Sequence, residues 1–173
     1  MSAYVIAEAG VNHNGNPELA FELLDAAVDA GADAIKFQTF KASQLVTNQA
    51  EMASYQKENT GKEESQLAML QRLELDPEVF VALAQRAEEK NIDFLSTAFD
   101  KPSLDFLVDH VGVTRLKIAS GEITNGQFLL EHARTNKPVI ISTGMCTLAE
   151  VEHAIGVFAF GWRNSNGTPD TAS

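Results

Sequence analysis

The sequence predicts an α/β fold of barrel type, with parallel strands on the inside and helices on the outside. Two observations carry this. Short apolar runs alternate with segments of helical periodicity, and each of the five apolar runs between residues 3 and 158 ends in, or is closely followed by, polar residues. Strands that alternate with helices imply parallel pairing and right-handed crossovers, which leaves an open doubly wound sheet or a barrel. Gly10 and Gly15 do not make the G-x-G-x-x-G spacing after the first strand, so the open nucleotide-binding sheet is the weaker of the two.

Taken in order, Tyr4-Val5-Ile6-Ala7 reads as a buried strand that leaves the core at Glu8 and Gly10. Leu19, Ala20, Leu23, Leu24, Ala27 and Val28 then recur at helical spacing after Pro17, and Gly31 is placed to end that helix. The second strand is Ala34 to Gln38. A helix over Pro77 to Lys90 precedes a strand at Phe94 to Thr97, and a short helix near Ser103 to Val108 precedes Leu116 to Ala119. A helix near Gln127 to Thr135 precedes Val139 to Ser142, which completes five strand-and-helix units.

Phe40 to Leu75 breaks this rhythm, being long, polar and rich in Gln, Glu and Ser. Loops of such length inside a compact domain are functional or disordered, and this one reads as an excursion over the catalytic face with a helix at Ser65 to Leu73. Residues 159–173 read as a linker or disordered tail, since from Arg163 onward the composition is Asn, Ser, Gly, Thr, Pro and Asp.

With 173 residues and 45% hydrophobic content, the chain can bury a substantial core in one domain. No stretch approaches the ~18 uninterrupted apolar residues of a membrane span, and no basic segment precedes an apolar one at the N-terminus. A cytoplasmic setting is expected. The single Cys146 allows no internal disulfide and reads as an ordinary small residue. A net charge of −11 without a basic patch argues against nucleic acid. It leaves small anions open, because a few inward lysines and hydroxyls outweigh distant, screened charge.

The polar strand ends are where chemistry gathers. Strand 1 offers Glu8, then Asn12 and His13; strand 2 offers Lys36 and Gln38; strand 3 offers Ser96 and Thr97; strand 4 offers Lys117, Ser120 and Glu122; strand 5 offers Ser142 and Thr143. In parallel α/β folds the ligand site lies at the carboxyl ends of the strands, so all five sets are expected on one face. Lysines within apolar strands are costly unless each meets an anion, so Lys36 and Lys117 point to an anionic ligand or to Schiff-base chemistry. His13 sits in an Asn-His-Asn-Gly turn and is read as part of that loop, while His110, His132 and His153 read as surface or helix-packing residues.

Five segments in order resemble the sialic acid synthase family, which includes N-acetylneuraminate and legionaminate synthases. They are Ile6 to Gly15, Lys36-Phe37-Gln38-Thr39-Phe40, Leu95 to Asp100, Lys117 to Glu122 and Ser142-Thr143-Gly144-Met145. The resemblance implies a (β/α)8 barrel of which this chain carries about five units, and it covers residues 3 to 158. It also implies that phosphoenolpyruvate is held by groups matching Lys36, Thr97, Lys117, Ser120 and Ser142, with Glu8 and Glu122 as acid/base candidates and Gln38 near the sugar. The implied reaction condenses phosphoenolpyruvate with an N-acylated amino sugar and releases phosphate.

The departures matter as well. The family's divalent metal, manganese or magnesium, is held by two histidines on later strands, and no matching segment occurs here, so no residue of this chain is assigned as a metal ligand. Also missing are the last three strand-and-helix units and the small C-terminal domain that covers the neighbouring subunit's site in what the resemblance implies is a homodimer. Alone, the chain is expected to be inactive in the condensation and to expose strands 1 and 5 as edges. Ala98 stands where proline is common, a mild change. A non-catalytic half-barrel remnant or interaction module, and more weakly a Schiff-base aldolase, remain as alternatives.

Overall fold

A computed structural model describes residues 3–45 and 65–165, the last two as backbone only. The expectation of an excursion at Phe40 to Leu75 therefore lies partly outside the described residues, as does the end of the tail. The strands are β1 (Ile6–Gly10), β2 (Ala34–Thr39), β3 (Asp93–Ala98), β4 (Leu116–Ile118) and β5 (Val139–Ile141), in one sheet with the order β1-β2-β3-β4-β5. The pairings β1–β2, β3–β4 and β4–β5 are parallel. The helices are α1 (Pro17–Asp29), α2 (Ala42–Leu45), α3 (Gln66–Leu73), α4 (Pro77–Glu89), α5 (Lys101–Phe106), α6 (Gly126–Arg134) and α7 (Leu148–Ser165). By its internal contacts the chain divides into two compact units, Met1–Phe94 and Leu95–Ser173.

In the first unit the local signals fix each helix start. Asn16 caps α1 by accepting from the Leu19 amide at 3.0 Å, with Pro17 in the first turn, where its missing N–H costs nothing. Ser65 caps α3 in the same way, accepting from Ala68 at 3.1 Å. Ala20, Leu24 and Ala27 of α1, Phe80, Leu83 and Ala87 of α4, and Ile35 and Phe37 of β2 are all buried. The rings of Phe37 and Phe94 stack with centroids 5.7 Å apart, and a two-point Arg86–Asp25 ion pair ties α4 to α1.

In the second unit Ile118, Ile123, Leu129 and Ala154 form a buried cluster, covered by Val139, Ile141, Val151, Val157 and Phe158. Asp100 starts α5 by accepting from the Ser103 amide at 2.8 Å, and a wider π turn over Leu107–Val111 follows until Gly112, at φ 73°, ends it. The helix expected near Ser103 to Val108 thus begins earlier and extends further, because the cap and the terminating glycine lie outside the apolar pattern.

Two sequence readings are corrected. α7 continues to Ser165, into the segment expected as linker or tail, because a face the composition does not advertise is packed. A β-carbon on Gly161 would lie 2.8 Å from the Ala133 β-carbon, so α6 and α7 approach closely there. The first strand is also less buried than its apolar run suggests. Ile6 and Ala7 are half-buried, and Tyr4 and Val5 are exposed, since β1 ends the strand order and has a neighbour on one side only.

Candidate functional site

In the first unit, three of the expected groups meet at the ends of β1 and β2. The register sets Glu8 beside Lys36 and then shifts, so that Gly10 rather than Ala9 faces Phe37. This bulge places an extra residue in β1 at the strand end, a device that re-aims side chains next to sites. The Lys36 ammonium lies 2.8 Å from Glu8 Oε2, with the Lys36 side chain 9% exposed and that of Glu8 59%. Burying an ammonium is tolerated here because a carboxylate meets it, though the exposed acid makes the pair's net contribution modest.

Gln38 joins the pair by strand alternation, two residues on from Lys36 and so on the same side of β2. Gly10, at φ 55°, lets both approach. A β-carbon there would stand 3.1 Å from Glu8 Oε1 and 3.6 Å from Gln38 Nε2. The sequence marks this position only as a turn glycine; the crowding above it depends on side chains from two strands and has no local signal.

The Asn12-His13-Asn14-Gly15 turn follows β1 as expected. Asn14 has φ 51° and donates to the Asn12 carbonyl at 3.2 Å. His13 is buried; its Nδ1 accepts from the Gly15 amide at 3.0 Å, and its ring lies 6.1 Å from that of Phe37. Since Nδ1 accepts, the neutral ring carries its proton on Nε2, which is buried and has no hydrogen-bond partner among the described residues. Burial lowers the His13 pKa from its ordinary value.

In the second unit, register places Thr97 beside Lys117 and Lys117 beside Ile140, so that Thr97, Lys117 and Ser142 share one face of the sheet. The Lys117 ammonium donates to Ser142 Oγ and, at 2.9 Å, to the Ile118 carbonyl. Thr97 is fully buried, and Lys117 and Ser142 are half-buried. Ser120 and Glu122 lie on the 3₁₀ turn Ser120–Glu122 that leaves β4. Asn125 holds the end of that turn: its amide donates to Glu122 Oε2 at 3.1 Å while its oxygen caps α6 through the Phe128 amide.

Cys146, expected to be an ordinary small residue, has its thiol directed at the Ser120 carbonyl at 3.5 Å, so it links the loop after β5 to the turn after β4. The spacing between residues 120 and 146 gives no sign of this. Gln38, Thr97, Lys117 and Ser142 are thus at or near a strand end, while Lys36 stands in the middle of β2 and Glu8 in β1. Glu8, Lys36 and Gln38 come together in the first unit, and Thr97, Lys117 and Ser142 in the second, with Ser120 and Glu122 on the adjoining turn.

The resemblance implies a divalent metal. Among the described residues no three His, Cys, Asp or Glu side chains are grouped to hold one. His132 is buried on α6 with Nδ1 at the Phe128 carbonyl, His110 stacks on Phe106, and His153 is an exposed residue of α7. These residues do not fit a metal centre, and no chemical step of this chain is routed through one. Likewise, no described helix is long and apolar enough to cross a membrane.

Comparison with known proteins completes the picture. The chain is 53% identical over 155 residues to the N,N'-diacetyllegionaminic acid synthase of Legionella pneumophila, covering 90% of this chain and 43% of that one. It is 49% identical over 153 residues to the enzyme of the same name from Campylobacter jejuni, covering 88% and 46%. The chain therefore spans less than half the length of these relatives. Among solved structures, the N-acetylneuraminic acid synthetase of Leptospira borgpetersenii matches with a TM-score of 0.77 at 34% identity, covering 93% of this chain and 51% of that one. The fold is thus α/β of the barrel type seen in such synthases. The NeuB family model matches residues 23–171, and the chain belongs to the NeuB family.

Proposed function

We propose that this chain carries the phosphoenolpyruvate-handling groups of a sialic- or legionaminic-acid-type synthase, working in the cytoplasm. The observation that carries the reading is the Thr97, Lys117 and Ser142 set, an ammonium between hydroxyls on one face of the sheet. Phosphoenolpyruvate presents a phosphate and a carboxylate. Lys36 and Lys117 supply charge to them, while Thr97, Ser120 and Ser142 donate hydrogen bonds that fix orientation.

In the condensation, the enol carbon of phosphoenolpyruvate forms a bond to the aldehyde carbon of an open-chain N-acylated amino sugar of the N-acetylmannosamine type. Water adds at the neighbouring carbon, and phosphate departs with its bridging oxygen as that carbon–oxygen bond breaks. Glu8 and Glu122 exchange the protons, work that contributes about 10²–10⁴-fold in rate, and Gln38 faces the sugar. The substrates and a homodimer for a longer protein come with the family resemblance. The identities to legionaminic acid synthases support this choice of substrate class.

Turnover by this chain alone is not expected, because the histidine ligands implied by the resemblance have no counterpart in its sequence. Phosphate release from phosphoenolpyruvate with N-acetylmannosamine and manganese at ~1–10³ s⁻¹ would overturn that part. The reading itself is tested by ligand-linked stability and by trapping. Phosphoenolpyruvate should raise the unfolding midpoint of the chain, and pyruvate with borohydride should add no mass to it. An unchanged midpoint, or an adduct on Lys36 or Lys117, would favour a remnant or a Schiff-base aldolase instead.

A further inference from the structure

The Asn12-His13-Asn14-Gly15 turn does more than reverse the chain. Three glycines of the described residues share nearly the same left-handed conformation, Gly15 at φ 75°, and Gly31 and Gly112 at φ 73°. Around Gly31 and Gly112 a β-carbon would meet nothing within 4 Å, so only the backbone angle calls for glycine. Gly15 is different. A β-carbon there would stand 2.1 Å from the Arg72 carbonyl oxygen, 3.2 Å from the Arg72 carbonyl carbon and 3.6 Å from the Glu74 carbonyl oxygen. The last turn of α3 rests directly on the glycine backbone.

Further contacts fix both sides of this junction. The Gly15 amide donates to His13 Nδ1, and His13 is buried against Phe37, so the turn is held to β2. On the other side, the Glu74 carboxylate accepts from the Ala42 amide, which ties the end of the excursion to its beginning. Ala42, Met69 and Leu75 are buried. A side chain at position 15 would displace the backbone of α3, which cannot yield as the tip of a flexible side chain could.

We infer that His13 and Gly15 are positioning residues: they seat α3 on the turn that follows β1, the strand that bears Glu8. The inference rests on the proposed function only in treating Glu8 as a substrate group. The seat itself is a claim about the fold of the first unit.

The test is hydrogen–deuterium exchange on the 173-residue chain without ligand, read over residues 66–75. Four variants are compared with the parent: Gly15→Ala, Gly31→Ala, His13→Asn and His13→Leu. Asparagine carries an oxygen at the position of Nδ1 and keeps the acceptor; leucine keeps apolar bulk without it. Gly15→Ala and His13→Leu should each speed exchange over residues 66–75 by about tenfold or more. Gly31→Ala should act only near its own turn, and His13→Asn should stay closer to the parent than His13→Leu. Equal effects of Gly15→Ala and Gly31→Ala on residues 66–75 would overturn the seat, as would a His13→Asn chain that opens as far as His13→Leu. If Gly15→Ala does not fold, the His13 pair still decides. Because no ligand is involved, failure to bind phosphoenolpyruvate would count against the proposed function and leave this result standing.

Discussion

Lys36 and Lys117 are the same side chain at comparable places on two strands, yet the chain equips them differently. Lys36 is buried and meets a carboxylate, while Lys117 is half-buried and donates to a hydroxyl and a backbone carbonyl. The exposed partner of the first pair is the informative detail. Glu8 is 59% exposed whereas Lys36 is 9%, so the acid can turn away when another anion arrives and the ammonium stays in place. In the second unit, the Ser142 hydroxyl can redirect its proton toward an anion without leaving Lys117. In the proposed function, one lysine would trade an acid for its ligand, and the other would share a neutral oxygen with it.

That contrast can be broken most forcefully at the lysines themselves. Lys36→Ala and Lys117→Ala should each weaken phosphoenolpyruvate binding, since a hydrogen bond to a charged group contributes ~1.5–3 kcal/mol, or about ten- to 150-fold. Titration of each variant measures this, and parent affinity in either removes that lysine from the site. Ser142→Ala should cost less, near the ~1.5 kcal/mol lower end for a hydrogen bond to a charged group, or about twelvefold in affinity, because the Lys117 ammonium remains. A loss as large as that of Lys117→Ala would mean that the hydroxyl, and not the ammonium, anchors the ligand.

Glu8→Gln should act in the opposite direction. Removing the carboxylate takes away a competitor for Lys36, so phosphoenolpyruvate should bind tighter by up to about fivefold, the range of an exposed ion pair, while the unliganded chain loses stability. Weaker binding in this variant would show that Glu8 helps to hold the ligand and does not yield to it.

The smallest effect concerns the imidazoles, one buried in each unit. Burial lowers the pKa of His13, and it lowers that of His132 despite the opposing hydrogen bond to the Phe128 carbonyl. Both therefore stay neutral in the folded chain where the unfolded chain takes up protons near pH 6.5. The unfolded state binds more protons, so their contribution to stability is intact above that value and falls as pH drops below it. Urea midpoints at pH 7.5 and 5.5 should show the decline, and His132→Phe should reduce it. An identical decline in the variant would mean that His132 is not held neutral by its surroundings.

The sequence makes some of this legible and hides the rest for definable reasons. Helix starts at Pro17, Ser65 and Pro77 depend on residues within one turn, and they stand where the pattern places them. Glu8, Lys36, Lys117 and Ser142 can be named because polar groups at the ends of apolar strands have few ordinary reasons to be there. The β1 bulge, the crowding above Gly10, the seat under α3 and the Cys146–Ser120 contact are not legible, since each joins segments far apart in the chain. The extension of α7 past residue 158 escapes for a related reason: the close approach of Gly161 to Ala133 joins two helices and leaves no mark in the composition of the tail.

The proposed function assigns both Lys36 and Lys117 to phosphoenolpyruvate. Calorimetric titration of the ligand into the parent chain and into both Lys→Ala variants tests this most directly, because it returns the affinity of each. Phosphoenolpyruvate should bind the parent chain, and its binding should be weakened in both variants. Parent affinity in either variant would contradict the assignment of that lysine, and no binding to the parent would contradict both.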